Sequence, residues 1–290
     1  MLQQLIANGL IQGAEIALLA VGFSVLYTAS RFFVFTYGAS FAWAAYSFLW
    51  FANILPLGLA AALGMLVSIT LGVCLERGIY QPLREHGRSP LVLMLASIGA
   101  YVISQNIISL SFGDVTRLIS GWGSSNSHSW FGIRFTGTQV LIVTISFVTI
   151  VFTSLLLVLS SLGKNIRAVT NDLTLASVVG IDVNLTTAMA VALGSALAGV
   201  GAVLVSLDLG LTPIMGFQAL LLGVVAAIVG GVGSIGGAAL GGITLGLLQQ
   251  LAVWILPSQW QDAVVFAALI IVLILRPQGF CGKARQRSVV

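Results

Sequence analysis

Leu209 to Gln261 reads LGLTPIMGFQALLLGVVAAIVGGVGSIGGAALGGITLGLLQQLAVWILPSQWQ, with no Asp, Glu, Lys or Arg anywhere in it. A membrane-crossing helix takes about 20 mostly apolar residues, so this stretch has room for two crossings with a glycine-rich joint between them. Phe32–Leu75 is a second charge-free interval of that size, and Ser89–Gly113, Phe135–Gly163 and Val183–Leu207 fit one crossing each. Of the 290 residues 58% are apolar and 7% charged, where a soluble domain carries about 25% charged. A soluble chain could not cover its surface that way. The fold class is therefore an all-α membrane protein, a polytopic bundle of about eight or nine hydrophobic segments forming a single transmembrane domain over 1–290.

The apolar periodicity places helices at 5–29, 32–52, 54–75, 91–112, 138–161, 185–206, 217–232, 235–256 and 260–275. The segment 32–52 is read either as a full crossing, which puts Met1 outside, or as a re-entrant segment, which puts it inside. The opening Met-Leu-Gln-Gln has neither a basic region nor a small-residue cleavage site, so the first segment is expected to be a retained helix. Arg77, Arg84 and Arg88 fall in the connection 76–90, Lys164 and Arg167 in 162–184, and Arg276, Lys283, Arg285 and Arg287 in and before the tail 281–290. By the positive-inside rule these three regions face the cytoplasm. The opposite connections are 208–216, 257–262 and the Gly/Ser-rich 113–137 with Trp122 and Trp130, the last assigned by alternation because it carries Arg117 and Arg134. The net charge of +4 thus sets orientation and gives no sign of a nucleic-acid partner; the partner is the lipid bilayer.

Gly230, Gly231, Gly233, Gly236, Gly237, Gly241, Gly242 and Gly246 crowd one apolar stretch. Gly237/Gly241 and Gly242/Gly246 are GxxxG pairs that let helix backbones approach closely. Around Ser234 the same run can also break a helix inside the membrane, where open backbone is tolerated only if buried or lining a polar path. No repeat of 20–50 residues is visible, so an inverted repeat of the transporter kind would survive only as degenerate structure.

Catalysis finds little support. His86 and His128 lie in loops, Cys74 and Cys281 have no CxxC partner, and neither an HExxH, a GxSxG nor a P-loop pattern occurs. No metal or cofactor is expected on this chain. Glu15 is the one acid deep in an apolar run, where a charge costs about 2.5–3.5 kcal/mol on insertion scales; it is read as a hydrogen-bonded structural acid, as a pathway or interface group, or as lying at a helix end. Gln105 and Asn106 sit mid-helix and are expected to face other helices, through hydrogen bonding or substrate contact. Ser97 and Gln105, eight apart, share a helix face. With Tyr37-Gly38 and Ser234 they are candidates for a translocation route.

The stretch 162–184 reads as a short surface helix. Thr170 or Asn171 can cap its start, Asp172 suits the first turn, and Gly180 can close its end. Val169, Leu173 and Ala176, with Val179 or Gly180 following, trace an apolar stripe. The chain's own helix ends or a soluble partner must cover it.

Taken together the segments resemble the branched-chain amino acid type of ABC transporter permease, the LivH-like group. The resemblance rests on Glu76-Arg77, Tyr80 and Pro82-Leu83-Arg84; on Ser97-Ile98-Gly99 followed by Gln105-Asn106 and Phe112-Gly113; and on Arg167-Ala168, Asp172, Ala176 and Gly180-Ile181. It continues through Gly194–Gly199, the Gly230–Gly242 run with Ser234, Asp262-Ala263 and Arg276-Pro277-Gln278-Gly279, almost end to end. It implies a non-catalytic subunit of an importer in a bacterial-type cytoplasmic membrane. Its partners would be a second related permease, two cytoplasmic ATPases that bind ATP and Mg, and an external substrate-binding protein. In such permeases 162–184 resembles the element that docks on the ATPase, with Arg167, Ala168, Asp172, Leu173, Ala176, Gly180 and Ile181 matching it.

Three departures stand out. The chain reads Arg31-Phe32-Phe33-Val34-Phe35-Thr36-Tyr37-Gly38 where the family commonly has Asn and His, Glu15 where it usually has an apolar residue, and Gln249 where it often has Glu. The cargo expected is a small polar solute, with neutral or branched-chain amino acids first and urea or amides within the family's range. The competing reading is a self-contained secondary transporter or channel using Glu15 as a coupling-ion site. The charge pattern predicts that a reporter fused after Arg287 is cytoplasmic; an externally accessible C-terminus in intact cells would reverse the topology.

Overall fold

The structure, a computed structural model, describes residues 2–118, 127–130 and 133–282. Trp122 and the basic residues Lys283, Arg285 and Arg287 lie outside the described residues. The helices are α1 (Leu2–Ser30), α2 (Thr36–Ala52), α3 (Leu57–Leu75), α4 (Gln81–Glu85), α5 (Pro90–Phe112), α6 (Gly137–Leu159), α7 (Ser161–Asn171), α8 (Leu173–Val178), α9 (Val183–Asp208), α10 (Met215–Gly230), α11 (Ile235–Ala252) and α12 (Gln261–Leu275). A π-helical turn, Glu76–Tyr80, joins α3 to α4 without a break, and the loop before α6 holds an antiparallel hairpin of β1 (Ser127–Trp130) and β2 (Ile133–Thr136). Seven helical segments are long and apolar enough to cross a membrane among the described residues, with α2 and α10 as shorter apolar helices between them.

Two ends of the bundle are distinguishable by what meets there. Arg31, at the end of α1, donates to the carbonyls of Val169 and Thr170 in α7, and Asn184, at the start of α9, donates to Glu85 of α4 at 3.0 Å. This end carries Arg77, Arg84, Arg88, Lys164 and Arg167. At the other end Gln250 of α11 donates to Gln12 of α1 at 2.9 Å, and Leu211 pairs with Arg117. The chain thus starts at the non-basic end. α1 runs to the basic end, and α2 returns to meet α3 and α9 through Phe48, Ala60 and Val203. The segment 32–52 therefore crosses, but not as one helix.

That is the main correction to the sequence reading. Arg31 takes a left-handed φ of 59°, which ends α1, and Phe32–Phe35 stays non-helical before α2 begins. A 17-residue α2 spans only about 25 Å, short of the ~30 Å hydrocarbon layer. The open backbone is satisfied from α5: Ser97 Oγ accepts the Phe35 N–H at 3.2 Å and lies 3.2 Å from the Phe33 carbonyl and 2.7 Å from its own Met94 carbonyl. The four-residue run Phe-Phe-Val-Phe reads as helix by hydropathy, and only a distant serine makes the alternative tolerable.

α10 repeats the device. Its 16 residues follow the non-helical 209–214, in which Gly210, Leu211 and Pro213 are buried. The two short helices meet at Gly38 and Gly216: a Cβ on Gly38 would lie 2.5 Å from the Gly216 carbonyl oxygen, and one on Gly216 would lie 2.2 Å from that of Gly38.

The pairing scheme is two-fold. α1 packs on α11 as α9 packs on α3, α2 touches α3 and α9 as α10 touches α11 and α1, and α1 crosses α9 as α2 crosses α10. α1 and α9 run in opposite directions, so the units α1–α3 and α9–α11 are inverted repeats. One scrap survives in sequence. Ile69-Thr70-Leu71-Gly72 recurs as Ile243-Thr244-Leu245-Gly246, with Gly72 against Ser195 of α9 and Gly246 against Gly13 of α1.

The glycine run serves close packing on two faces of α11, and its break is the turn that joins α10 to α11 at the basic end. Gly237 and Gly241 bring α11 onto α10, at 2.3 Å from Gly230 O and 2.2 Å from Ala226 O for a built Cβ, while Gly242 and Gly246 bring it onto α1, at 2.3 Å from Ala17 and Gly13. Between the helices Gly231 and Gly233 take φ of 107° and 87°, and Ser234 caps α11 by accepting the Gly237 N–H at 3.1 Å. The chain's last described residues close over this turn, Phe280 and Cys281 donating to the Val229 and Gly230 carbonyls at 2.9 Å each.

The crossing of the short helices yields a test. Gly38→Ala or Gly216→Ala forces a methyl into a carbonyl at a distance no side chain tolerates, a cost of about 1–3 kcal/mol for overpacking. Each variant is expected to lower the thermal midpoint of the detergent-solubilised protein, whereas Gly58→Ala, where a Cβ meets open space, should not.

Candidate functional site

Polar groups on α1 recur at helical spacing: Gln4, Asn8, Gln12 and Glu15. Four and three residues apart, they form one stripe, and the fold turns it toward the non-basic end of the bundle. A cavity of about 260 Å³ opens there between α1, α2, α9 and α10, floored by Ile16, Leu19, Phe41 and Leu222 and edged by Gln12, Glu15 and Gln218. A second, of about 330 Å³, lies above it, with Asn8, Gln139, Asp208, Gln250 and Gln261 on its walls. The two share Gln12, Glu15 and Leu209. Glu15 stands where they meet. Its residue is 7% exposed, and its Oε1 has no hydrogen-bond partner among the described residues.

Of the residues singled out from sequence, Glu15 is the one on these walls. Tyr37 is buried in helix packing and donates its hydroxyl to the Leu19 carbonyl at 2.9 Å; Gly22 leaves it room, since a Cβ there would lie 2.6 Å from the hydroxyl. Gly38 is at the crossing with Gly216, Ser97 is tied to the unwound segment before α2, and Ser234 is a cap. On α5 the buried stripe is Ser97, Tyr101, Ser104 and Ile108, so Gln105 lies beside it and half-buried. Asn106, expected to face other helices, is exposed and donates to its own Val102 carbonyl at 2.8 Å. It falls one position further round the helix than the stripe reaches. Sequence reasoning passed over Gln12, Gln218, Gln139 and Gln250; the Gln4–Asn8–Gln12–Glu15 spacing was the signal that could have found the first of them.

The surface element at the basic end is two helices, not one. α7 is clamped to this chain: Gly163, Ile166 and Val169 are buried, Arg167 donates to the Leu157 carbonyl at 2.9 Å, and Thr170 donates to the Thr28 carbonyl at 3.0 Å. The break falls at Asp172, which is the N-cap of α8 rather than a first-turn residue, while Thr170 and Asn171 belong to α7. Its carboxylate accepts from Thr174 N at 2.8 Å and Leu175 N at 3.1 Å. These amide bonds, Leu175's first, hold the carboxyl below its ordinary value. A depressed folded-state value means that the cap is fully formed above the unfolded aspartate's ~3.9 and is lost only as pH falls through the lower folded one.

Gly180, at φ 88°, closes α8 with the Ile181 N–H on the Ala176 carbonyl and the Gly180 N–H on that of Ser177, the two bonds of a Schellman ending. This chain covers only part of the apolar stripe. Val169 and Ala176 are covered by this chain, whereas Leu173, Leu175, Val178 and Val179 are exposed, the last two at 79% and 76%. Ala168 and Arg167 lie on the clamped helix and Ile181 just past the Schellman turn.

A chain with this fold has known counterparts. PsaBC from Streptococcus pneumoniae, solved in complex with Fab, superposes with a TM-score of 0.53 over 93% of this chain and 91% of its own at 12% identity, a likeness of fold alone. The branched-chain amino acid transport system permease protein BraD of Pseudomonas aeruginosa is 32% identical over 99% of this chain and 98% of its own length. The corresponding LivH proteins of Salmonella typhimurium and Escherichia coli K12 are each 31% identical over 99% of this chain and 97% of theirs. Residues 5–273 match the family described as branched-chain amino acid transport system / permease component. That match takes in α1 through all but the end of α12, both inverted units and the α7–α8 element between them, and the chain belongs to this family of permease components.

Proposed function

We propose that this permease carries a small polar solute inward across a bacterial-type cytoplasmic membrane, with neutral or branched-chain amino acids the foremost cargo. The basic end is cytoplasmic by the positive-inside rule, so the cavity beside Glu15 opens outward and receives solute from an external binding protein. The chain itself supplies the path. ATP and Mg are bound by two cytoplasmic ATPase subunits, and a second permease, identical or related, completes the membrane unit.

The observation that carries the reading is the exposed apolar end of α8. Leu175, Val178 and Val179 project from a helix that lies outside the membrane-crossing segments, on an element whose inner half is clamped to α1 and α6. Exposed apolar side chains at a cytoplasmic surface call for a protein partner. The clamp through Arg31 and Arg167 would pass a partner's displacement straight to the ends of α1 and α6. An ATPase seated there could therefore alter the cavity at the far end of α1 without touching it.

Replacing Leu175 or Val178 with Glu tests this. Each variant should insert and fold normally, lose copurification of the ATPase subunits, and lose ATP-driven uptake in proteoliposomes. Retained ATPase binding and uptake in both variants would overturn the docking assignment, and solute transport that runs without any ATPase subunit would favour a self-contained transporter.

A further inference from the structure

Glu15 is the departure that the import reading leaves without a task. Its carboxylate is more than nine-tenths buried, has an oxygen with no hydrogen-bond partner among the described residues, and lines both cavities at their junction. A buried acid left unpaired in a membrane protein is costly. Among the described residues the walls do not answer it with charge: the described lining residues include no Lys, Arg or His, and a second acid, Asp208, faces the upper cavity. They offer amides instead, from Gln12, Gln218 and Gln139, over an apolar floor of Leu19, Phe41 and Leu222.

We propose that Glu15 is the binding site for the ammonium group of the transported solute, which places a compact aliphatic body on the Leu19–Phe41–Leu222 floor. This deepens the import reading and rests on it, since it names the solute class as a small aliphatic primary amine or amino acid. An ammonium brings several N–H donors, and a carboxylate together with side-chain amide oxygens supplies acceptors for them. The apolar floor excludes large polar bodies, and the small volume excludes large solutes. A free inorganic cation would satisfy Glu15 electrostatically but would leave the apolar floor unused.

The test uses the full-length permease assembled with its ATPase subunits in lipid nanodiscs without nucleotide, with Cys74 and Cys281 replaced by Ser and a Leu209→Cys reporter between the cavities. Maleimide labelling is measured against 3-methylbutylamine, its neutral isostere 3-methylbutan-1-ol, and sodium or potassium chloride. The amine is expected to protect at concentrations about tenfold or more below the alcohol, the worth of a charge-assisted hydrogen bond, and Glu15→Gln, which keeps the shape, should erase that difference. Equal protection by amine and alcohol, protection by the alkali cations instead, or an amine preference that survives Glu15→Gln would each overturn the site, even in a complex that performs ATP-driven uptake. Amine-selective protection in a complex that fails to import would keep the site and sink the import reading.

Discussion

Backbone contact between α1 and α11 constrains everything around it. A Cβ at Gly242 would sit 2.3 Å from Ala17 Cα, and one at Gly246 would sit 2.3 Å from Gly13 Cα, so the two helices touch main chain to main chain. Lipid gives helices no hydrophobic reason to associate, and such small-residue packing is what holds them together. Because α1 is pinned along one side by α11 and crossed on the other by α9 at Gly22 and Gly194, it becomes the buried axis of the bundle. A buried axis is also the one place where a helix can carry Gln4, Asn8, Gln12 and Glu15 in a membrane, since their groups then face protein and cavity rather than hydrocarbon.

The same constraint explains the two short helices. With α1 and α9 antiparallel and close, α2 and α10 enter from opposite ends, cross at Gly38 and Gly216, and stop short of a full span. The chain that leads into each is unwound. Irregular backbone at such depth survives only when its polar groups are met, and on the α2 side Ser97 does this from a neighbouring helix. The cavity floored by Leu19, Phe41 and Leu222 lies beside the other unwound stretch, 209–214, which contributes Leu209, Gly210 and Thr212 to its wall. Cavity and broken helix therefore share one cause, the crossing of inverted units.

Much of this was legible in the sequence because hydrophobic length and charge placement are direct consequences of the bilayer. The apolar segments put α5, α6, α9 and α12 within two residues of their observed ends, and the Gly237/Gly241 and Gly242/Gly246 spacing marked the two packing faces of α11. What escaped depended on residues far away in sequence. Phe32–Phe35 looks helical because aromatic hydropathy says nothing about Ser97, and Asp172 looked like a first-turn acid because its capping geometry depends on α7 ending just before it. The inverted repeat left one four-residue echo, too short to notice without the packing. In the candidate site Glu15 stood out as a lone buried acid, but Gln139, Gln250 and Gln261 belong to α6, α11 and α12 and have no sequence pattern that joins them to it.

The polar face of α1 meets the end of α11 in a cavity on the side away from the basic surface. Gln12 and Gln250, bonded at 2.9 Å, allow it to be measured directly. In a background lacking Cys74 and Cys281, Gln12→Cys/Gln250→Cys is treated in intact cells with a short, membrane-impermeant bismaleimide. Reagent added from outside is expected to form an intramolecular cross-link. No cross-link, or one formed only when the reagent reaches the cytoplasmic face in inverted vesicles, would contradict it.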